Sequence, residues 1–356
     1  MARPAGQTTG MKACVIRQAR ALAVEDVAEP RPGPGEVVLR LGAGGICGSD
    51  LHYFADGGVG DFRLRGPMIL GHEAAGTVAA LGPEVRSLRV GDRVAVNPSR
   101  PCGACPPCRA GRRNLCQNVR FFGSAARFPH VNGIFSDRFV APEENCHPIP
   151  GAMSFRAAAC AEPLAVALHA AAQAGPLDGR TVFIVGSGPI GVLLAAAARM
   201  GGAARIGVTD LLDEPLAFAR AMGATETANA RTQPERIAAF AAQPGGIDVI
   251  FEASGSPPGL ERALELIAPG GTIVQVGSLP SGPTPVPLSR IVPREVRLVG
   301  SFRFDREYAA AVSALTSGRI DVTPLLTHDF PFSALQEAFA AAADRRTGMK
   351  VSLRPD

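Results

Sequence analysis

The chain has 356 residues, more than one ordinary core holds, so two domains are expected. Its composition is globular, rich in Ala and Gly and without Trp. The formal charge of +4 is small, and the arginines are scattered, which argues against a nucleic-acid-binding face. The most apolar runs, around 157–175 and 190–204, are broken by Glu162, Pro163, His169 and Arg199, so neither a membrane span nor a membrane partner is expected. No secretory signal is visible, and a cytoplasmic location is expected. Met1–Gly10 reads as a disordered lead, with Met11 as an alternative start.

From Met11 to about Val96 the signals are those of strands and turns. Ala13–Ile16, Glu36–Leu41, Gly76–Leu81 and Asp92–Val96 are short apolar or β-branched runs punctuated by Gly and Pro, as in a partly open β-barrel. On its loops lie Gly45-Ile46-Cys47-Gly48-Ser49-Asp50-Leu51-His52-Tyr53 and Gly71-His72-Glu73. Cys47, His72 and Glu73 offer a thiolate, an imidazole and a carboxylate. Those side-chain types hold a catalytic zinc while leaving one coordination position open. Ser49 and His52 are near enough in sequence to carry a proton. Any one of these residues alone reads equally well as a buried Cys or a satisfied core His; the set together points to a metal site that does chemistry.

Four of the eight cysteines, Cys102, Cys105, Cys108 and Cys116, fall within fifteen residues. Two-residue gaps let backbone amides turn inward around a tetrahedral zinc with no vacant position, which is a structural site. A zinc ribbon that binds DNA or RNA also uses four cysteines, but in two separated pairs and with a broader basic surface than Arg109, Arg112 and Arg113 provide. The lobe is expected to staple a loop, at a subunit contact. Cys14, Cys146 and Cys160 read as packing residues.

The loop 118–130, with Phe121 and Phe122, is rich in aromatics for so aromatic-poor a chain, and reads either as core packing or as the lining of a substrate cleft. Strand-like segments follow at Gly133–Val140 and Cys146–Ile149. From Phe155 the pattern turns helical. Within it Glu162, in Ala161-Glu162-Pro163-Leu164, is either a helix-start carboxylate favoured by the dipole or a carboxylate facing the metal.

The apolar strand Thr181–Val185 runs straight into Gly186-Ser187-Gly188-Pro189-Ile190-Gly191 and the helix Val192–Met200. A second strand, Arg205–Thr209, ends in Asp210, nineteen residues beyond Gly191. Strand, glycine turn, helix and acid together form a dinucleotide-binding fingerprint. Gly186 allows the tight turn, Gly188 the approach of the pyrophosphate, and Gly191 the close packing of helix on strand. The pyrophosphate meets the helix amides near Pro189 and Ile190. Asp210 accepts both ribose hydroxyls and repels a 2′-phosphate, so NAD is favoured, with NADP as the alternative.

Alternation continues with helices Leu216–Met222 and Gly259–Ile267 and strands Asp248–Phe251, Thr272–Val276 and Val296–Gly300, giving a doubly wound parallel sheet. Ligands bind beyond the carboxyl ends of such strands, where Val276, Gly277, Ser278, Ser301 and Arg303 fall. Arg303 is the candidate for a substrate carboxylate, or for a cofactor contact. Helices Tyr308–Thr316 and Ala334–Ala343 precede a last strand, Lys350–Leu353, expected to rejoin the first lobe.

In this order, the Cys…His-Glu site, the four-cysteine lobe and the nucleotide fold resemble the zinc-dependent medium-chain alcohol and polyol dehydrogenases, from about Met11 to the C-terminus. Glu162 in Ala161-Glu162-Pro163-Leu164 resembles the sorbitol-type branch. The resemblance implies an α/β chain: a GroES-like β-barrel catalytic domain over 11–160, rejoined by 305–356, and a Rossmann NAD-binding domain over 161–304. It implies that Cys47, His72 and Glu73 hold the catalytic zinc, with Glu162 as fourth ligand or one water away. Ser49 then passes the substrate proton through the nicotinamide ribose toward His52, while Tyr53 and Phe121 contact substrate. The implied substrate is a sugar acid or polyol: L-idonate oxidised to 5-keto-D-gluconate, or else sorbitol, xylitol or L-threonine. A zinc-free quinone reductase is disfavoured by the intact ligand set. A homodimer or homotetramer is expected. Two positions depart from the pattern: Phe304 follows Arg303 where sorbitol-type enzymes have Tyr, and Pro215 stands where the family often has an arginine near Asp210.

Overall fold

In a computed structural model, residues 10–356 are described. The lead expected at Met1–Gly10 therefore lies outside the described residues except for Gly10, which opens the strand Gly10–Gln18.

The first half is β-rich. A seven-stranded sheet runs Cys146–Pro148, Arg93–Val96, Glu73–Leu81, Glu36–Gly45, Lys350–Arg354, Leu326–Pro331, with Arg138–Pro142 also pairing to Glu36–Gly45. A three-stranded sheet of Ala21–Ala28, Gly10–Gln18 and Met68–Ile69 packs with it around one core that includes Ile16, Leu39, Phe135 and Leu353. The last strand does rejoin this lobe, with Ser352 and Leu353 opposite Gly45 and Gly44. The strand expected at Gly133–Val140 forms only over Arg138–Pro142.

The second half is a six-stranded parallel sheet in the order Glu226–Asn229, Arg205–Asp210, Thr181–Val185, Val249–Glu252, Thr272–Gln275, Arg297–Gly300. Its central strand shows why the sequence reads as an unbroken apolar run. Val182 and Ile184 face the helices Ala161–Ala174 and Pro189–Met200, while Phe183 and Val185 face Pro234–Ala241 and Pro257–Leu266. Both faces are covered, so no polar alternation survives. Strand Glu226–Asn229 and helix Pro234–Ala241 were not anticipated from the sequence.

Helix Glu307–Thr316, expected in the rejoining segment 305–356, instead packs on helix Ala161–Ala174 through Tyr308, Ala311 and Leu315. Its Tyr308 ring also lies 5.0 Å from that of His147 in the first half, so the helix packs against both halves. No helix among the described residues is long and apolar enough to cross a membrane.

Candidate zinc and dinucleotide sites

Adjacent elements deliver the catalytic donors. Glu73 opens the strand Glu73–Leu81 and pairs with Gly45, two residues before Cys47. The sequence suggested that the Cys47 region is loop, but Cys47 caps a helix, Gly48–Asp56. Cys47, His72 and Glu73 bring one ligand atom each to within 4.8 Å of one another. Glu162 lies outside that cluster, buried on helix Ala161–Ala174.

Electrostatics explain what the cluster needs. Burial pushes Cys47 up to about 11, with Glu73 and Asp50 adding to it. Burial likewise lifts Glu162 to about 8, against His72 and Lys350 and with Glu73 and Cys47. Acidic groups crowded in a dry place are each held toward their neutral forms, and a divalent cation relieves that cost. Thiolate, imidazole and carboxylate at this spacing suit zinc.

Two supporting residues escaped the sequence reading. Asp50 is buried; its carboxylate accepts the Cys47 amide at 3.0 Å and the Gly71 amide at 3.1 Å, and it lies 3.9 Å from His72 Nδ1. One carboxylate thus braces both ligand-bearing segments. Its position three residues after Cys47 is a capping-box spacing that was there to be read. Lys350 donates from its ammonium to Glu73 Oε2, the two side chains being 4% and 1% exposed. Burial pulls Lys350 down, but Glu73 and the nearby thiols outweigh it and hold the amine above the ordinary lysine value. The pair spans 277 residues, so no local pattern announces it. Gly45 makes it sterically feasible, since a Cβ there would collide with Glu73 Oε2.

Ser49 and His52 are three residues apart on helix Gly48–Asp56, a spacing that shares one face. Ser49 is half-buried, whereas His52 is exposed and lies 3.3 Å from Asp56. Tyr53 is buried, and its hydroxyl accepts the Ala125 amide at 2.9 Å while keeping its own proton to donate. In the aromatic loop Phe122 joins the core. Phe121 has its ring centroid 5.7 Å from that of His72, and the Arg303 guanidinium lies over its face at 4.1 Å. Arg303 has a positive φ of 53°, uncommon for a residue with a side chain. Burial pulls it down to about 10, with Glu162 and Tyr53 opposing. Phe304 is buried between Phe121 and Tyr308.

Cys102, Cys105, Cys108 and Cys116 also bring their sulfurs within 4.8 Å of one another. The Cys102 and Asn118 amides donate to Cys116 Sγ at 3.2 and 3.3 Å, and the Ala104 and Cys105 amides lower Cys102 to about 6. Backbone amides lower Cys105 as well, whereas burial raises Cys108 to about 12; four sulfurs gathered at this spacing suit a closed structural zinc. The lobe docks on the second half beside Arg303: Arg113 pairs with Asp305 at 2.7 Å, and Asn114 donates to the Phe302 carbonyl at 3.0 Å.

The dinucleotide fingerprint forms as expected. Gly186 has φ 99°, and a side chain on Gly191 would strike the Gly186 carbonyl. Gly188 caps the helix, with Pro189, Ile190 and Gly191 in its first turn. Val276, Gly277 and Ser278 follow strand Thr272–Gln275, and Ser301 and Arg303 follow Arg297–Gly300, all at the carboxyl edge. Asp210, expected to accept the ribose hydroxyls and repel a 2′-phosphate, is paired with Arg345 at 2.6 Å.

Residues 33–151 match the alcohol dehydrogenase GroES-like domain, and residues 189–317 match the zinc-binding dehydrogenase family. The chain is 40% identical to L-idonate 5-dehydrogenase (NAD(P)(+)) of Escherichia coli over 342 residues, covering 96% of this chain and 98% of that one. It is 37% identical to sorbitol dehydrogenase of Bacillus subtilis, covering 97% and 98%. The crystal structure of the Escherichia coli L-idonate 5-dehydrogenase superposes with a TM-score of 0.90 over 97% of this chain and 98% of that chain, at 39% identity. The chain therefore belongs to the zinc-dependent medium-chain alcohol and polyol dehydrogenases, NAD(P)-dependent enzymes acting on CH–OH groups.

Proposed function

We propose that the chain oxidises L-idonate at its fifth carbon to 5-keto-D-gluconate, reversibly, with NAD or NADP as hydride acceptor. The observation that carries this reading is Arg303. Its guanidinium is largely desolvated, rests on Phe121 beside His72, and has no carboxylate at ion-pair distance among the described residues. A sugar acid supplies that carboxylate, and a planar guanidinium receives it bidentately. The Escherichia coli relative named for L-idonate supports the same choice.

Cys47, His72 and Glu73 hold the metal, with Glu162 set back from it. A zinc ion held there would lower the pKa of a bound substrate hydroxyl. Ser49 would take the proton, and the exposed His52, one turn along the same helix, would release it to solvent. Tyr53 and Phe121 would orient the sugar chain, and the glycine loop and Asp210 would hold the dinucleotide, which would supply the hydride acceptor. The second zinc, on Cys102, Cys105, Cys108 and Cys116, steadies the lobe that docks beside Arg303.

Two further features belong to this reading. The edge strand Arg297–Gly300 and its approach leave Val292 81% exposed and Leu298 38% exposed, which supports a homodimer or homotetramer, checked by sedimentation velocity. None of the eight cysteines forms a disulfide, which fits a cytoplasmic setting.

The test is NADH or NADPH formation with L-idonate, sorbitol, xylitol and L-threonine under identical conditions. L-Idonate should be preferred, and Arg303→Ala should cut the idonate-to-sorbitol ratio of kcat/KM roughly 100-fold, the worth of a bidentate charged contact of about 3 kcal/mol. Preference for a neutral polyol, or a ratio unmoved by Arg303→Ala, would refute the idonate assignment and leave the sorbitol-type alternative.

A further inference from the structure

An acid at the end of the second strand of a nucleotide-binding sheet accepts the ribose hydroxyls of NAD, and its charge repels the 2′-phosphate of NADP. Asp210 has the right place, but its charge is paired. Its Oδ1 accepts the amides of Leu211 and Leu212 at 2.7 and 3.1 Å, and its Oδ2 accepts the Ser187 amide at 2.8 Å. These fix the carboxylate. The remaining contact on Oδ2 is Arg345 Nη2 at 2.6 Å, which cancels its charge.

The two partners differ in how they are held. The Asp210 side chain is 3% exposed and that of Arg345 50%, so the arginine is the member free to exchange partners. It keeps N–H donors beyond the one given to Asp210. Arg345 follows helix Leu335–Ala343, which packs on strands of the catalytic half, so the ion pair bridges the two halves. Its turn is braced by Asp344, which accepts the Arg346 amide at 3.0 Å and the Thr347 hydroxyl at 2.9 Å.

Asp210 and Arg345 line one cleft of ≈ 640 Å³ together with Gly186, Gly188 and Arg262. The segment after Asp210 reads Leu211-Leu212-Asp213-Glu214-Pro215 and holds no cation. Arg262, the other cation of the cleft, is already paired with Glu265 at 3.0 Å. A 2′-phosphate arriving beside Asp210 meets Arg345, whose guanidinium keeps N–H donors beyond the one given to Asp210.

We propose that Arg345 sets the cofactor choice of this enzyme: it masks Asp210, exchanges to the 2′-phosphate when NADP binds, and so allows both NAD and NADP to be used. This rests on the dinucleotide site described above. It makes cofactor selection a property of a residue from the catalytic half rather than of the loop after Asp210.

The full chain, with its metal, is titrated with NADH and NADPH by nicotinamide fluorescence, with 2′,5′-ADP as a competing probe. kcat/KM for NAD and NADP is measured in the wild type, Arg345→Ala and Arg345→Lys. The wild type should bind NADPH within about tenfold of NADH. Arg345→Ala should lower the NADP-to-NAD ratio of kcat/KM about 30-fold and weaken 2′,5′-ADP comparably, and Arg345→Lys should recover part of both. An Arg345→Ala enzyme with an unchanged ratio overturns the proposal, as does a wild type that binds NADH but not NADPH. Failure to bind either cofactor refutes the dinucleotide site itself.

Discussion

Replacing Lys350 by Met tests whether Glu73 is shared between a lysine and a metal. The two side chains are 4% and 1% exposed, so in metal-free protein the substitution strands a carboxylate that water does not reach. Breaking one side of a buried pair costs about 3–5 kcal/mol, a sizeable share of a total stability of roughly 5–15 kcal/mol. At about 2–4 °C per kcal/mol for a domain of this size, Tm should fall by roughly 10 °C. When zinc is bound, Glu73 faces a divalent cation, and the penalty should shrink to about 1 kcal/mol. Thermal unfolding of wild type and Lys350→Met, each after chelation and after zinc reloading, measures the difference. The four-cysteine site is the same in both proteins and cancels. The variant should gain more from zinc than the wild type does. An equal loss of Tm with and without zinc would show that Lys350 packs and pairs without regard to the metal, and the shared-carboxylate argument would fall.

Asp50→Asn should weaken zinc binding at the catalytic site by roughly 10- to 100-fold, because one charged brace between the Cys47 and His72 segments is lost. Chelator competition reads this, and an unchanged affinity would remove Asp50 from the metal site. Glu143 accepts the Ser87 hydroxyl at 2.7 Å and the Arg86 and Leu88 amides at 2.9 and 3.2 Å, and the Ser87 contacts above all hold it down at about 2. A carboxylate depressed on folding contributes stability above its ordinary value near 4.5, which is lost as pH falls toward 2. Glu143→Gln should therefore flatten the acid side of the Tm–pH curve between pH 5 and 2, and a curve parallel to that of the wild type would contradict this.

What the sequence made legible was local. The glycine loop between Thr181–Val185 and its helix is a short-range pattern, and so is the four-cysteine spacing; each is set by the ligand it must surround. Helix Gly48–Asp56 was missed because its glycine start and metal ligands look like loop, and its Asp50 cap was read past. The packing of helix Glu307–Thr316 on Ala161–Ala174 was not legible, because amphipathic pattern shows that a face is buried, not against what. Lys350 and Arg345 were invisible for a stronger reason. Their partners are 277 and 135 residues away, and a lone cation near the C-terminus carries no periodicity.

Both of those cations come from one short stretch, the segment in which the chain returns to its first lobe. Strand Lys350–Arg354 inserts between Glu36–Gly45 and Leu326–Pro331, next to the Gly45–Glu73 pairing, and so places Lys350 against Glu73. Five residues earlier the turn before it reaches across to the nucleotide sheet and places Arg345 on Asp210. The same return thus provides a counter-ion to the metal-site acid and another to the cofactor-site acid. Their burial differs in the direction each task demands. Lys350, in the dry interior, has no other partner to go to and can act only as a fixed charge beside the metal ligand. Arg345 is half in water, so it is the partner that can leave the pair, as the proposed cofactor-sensing role requires.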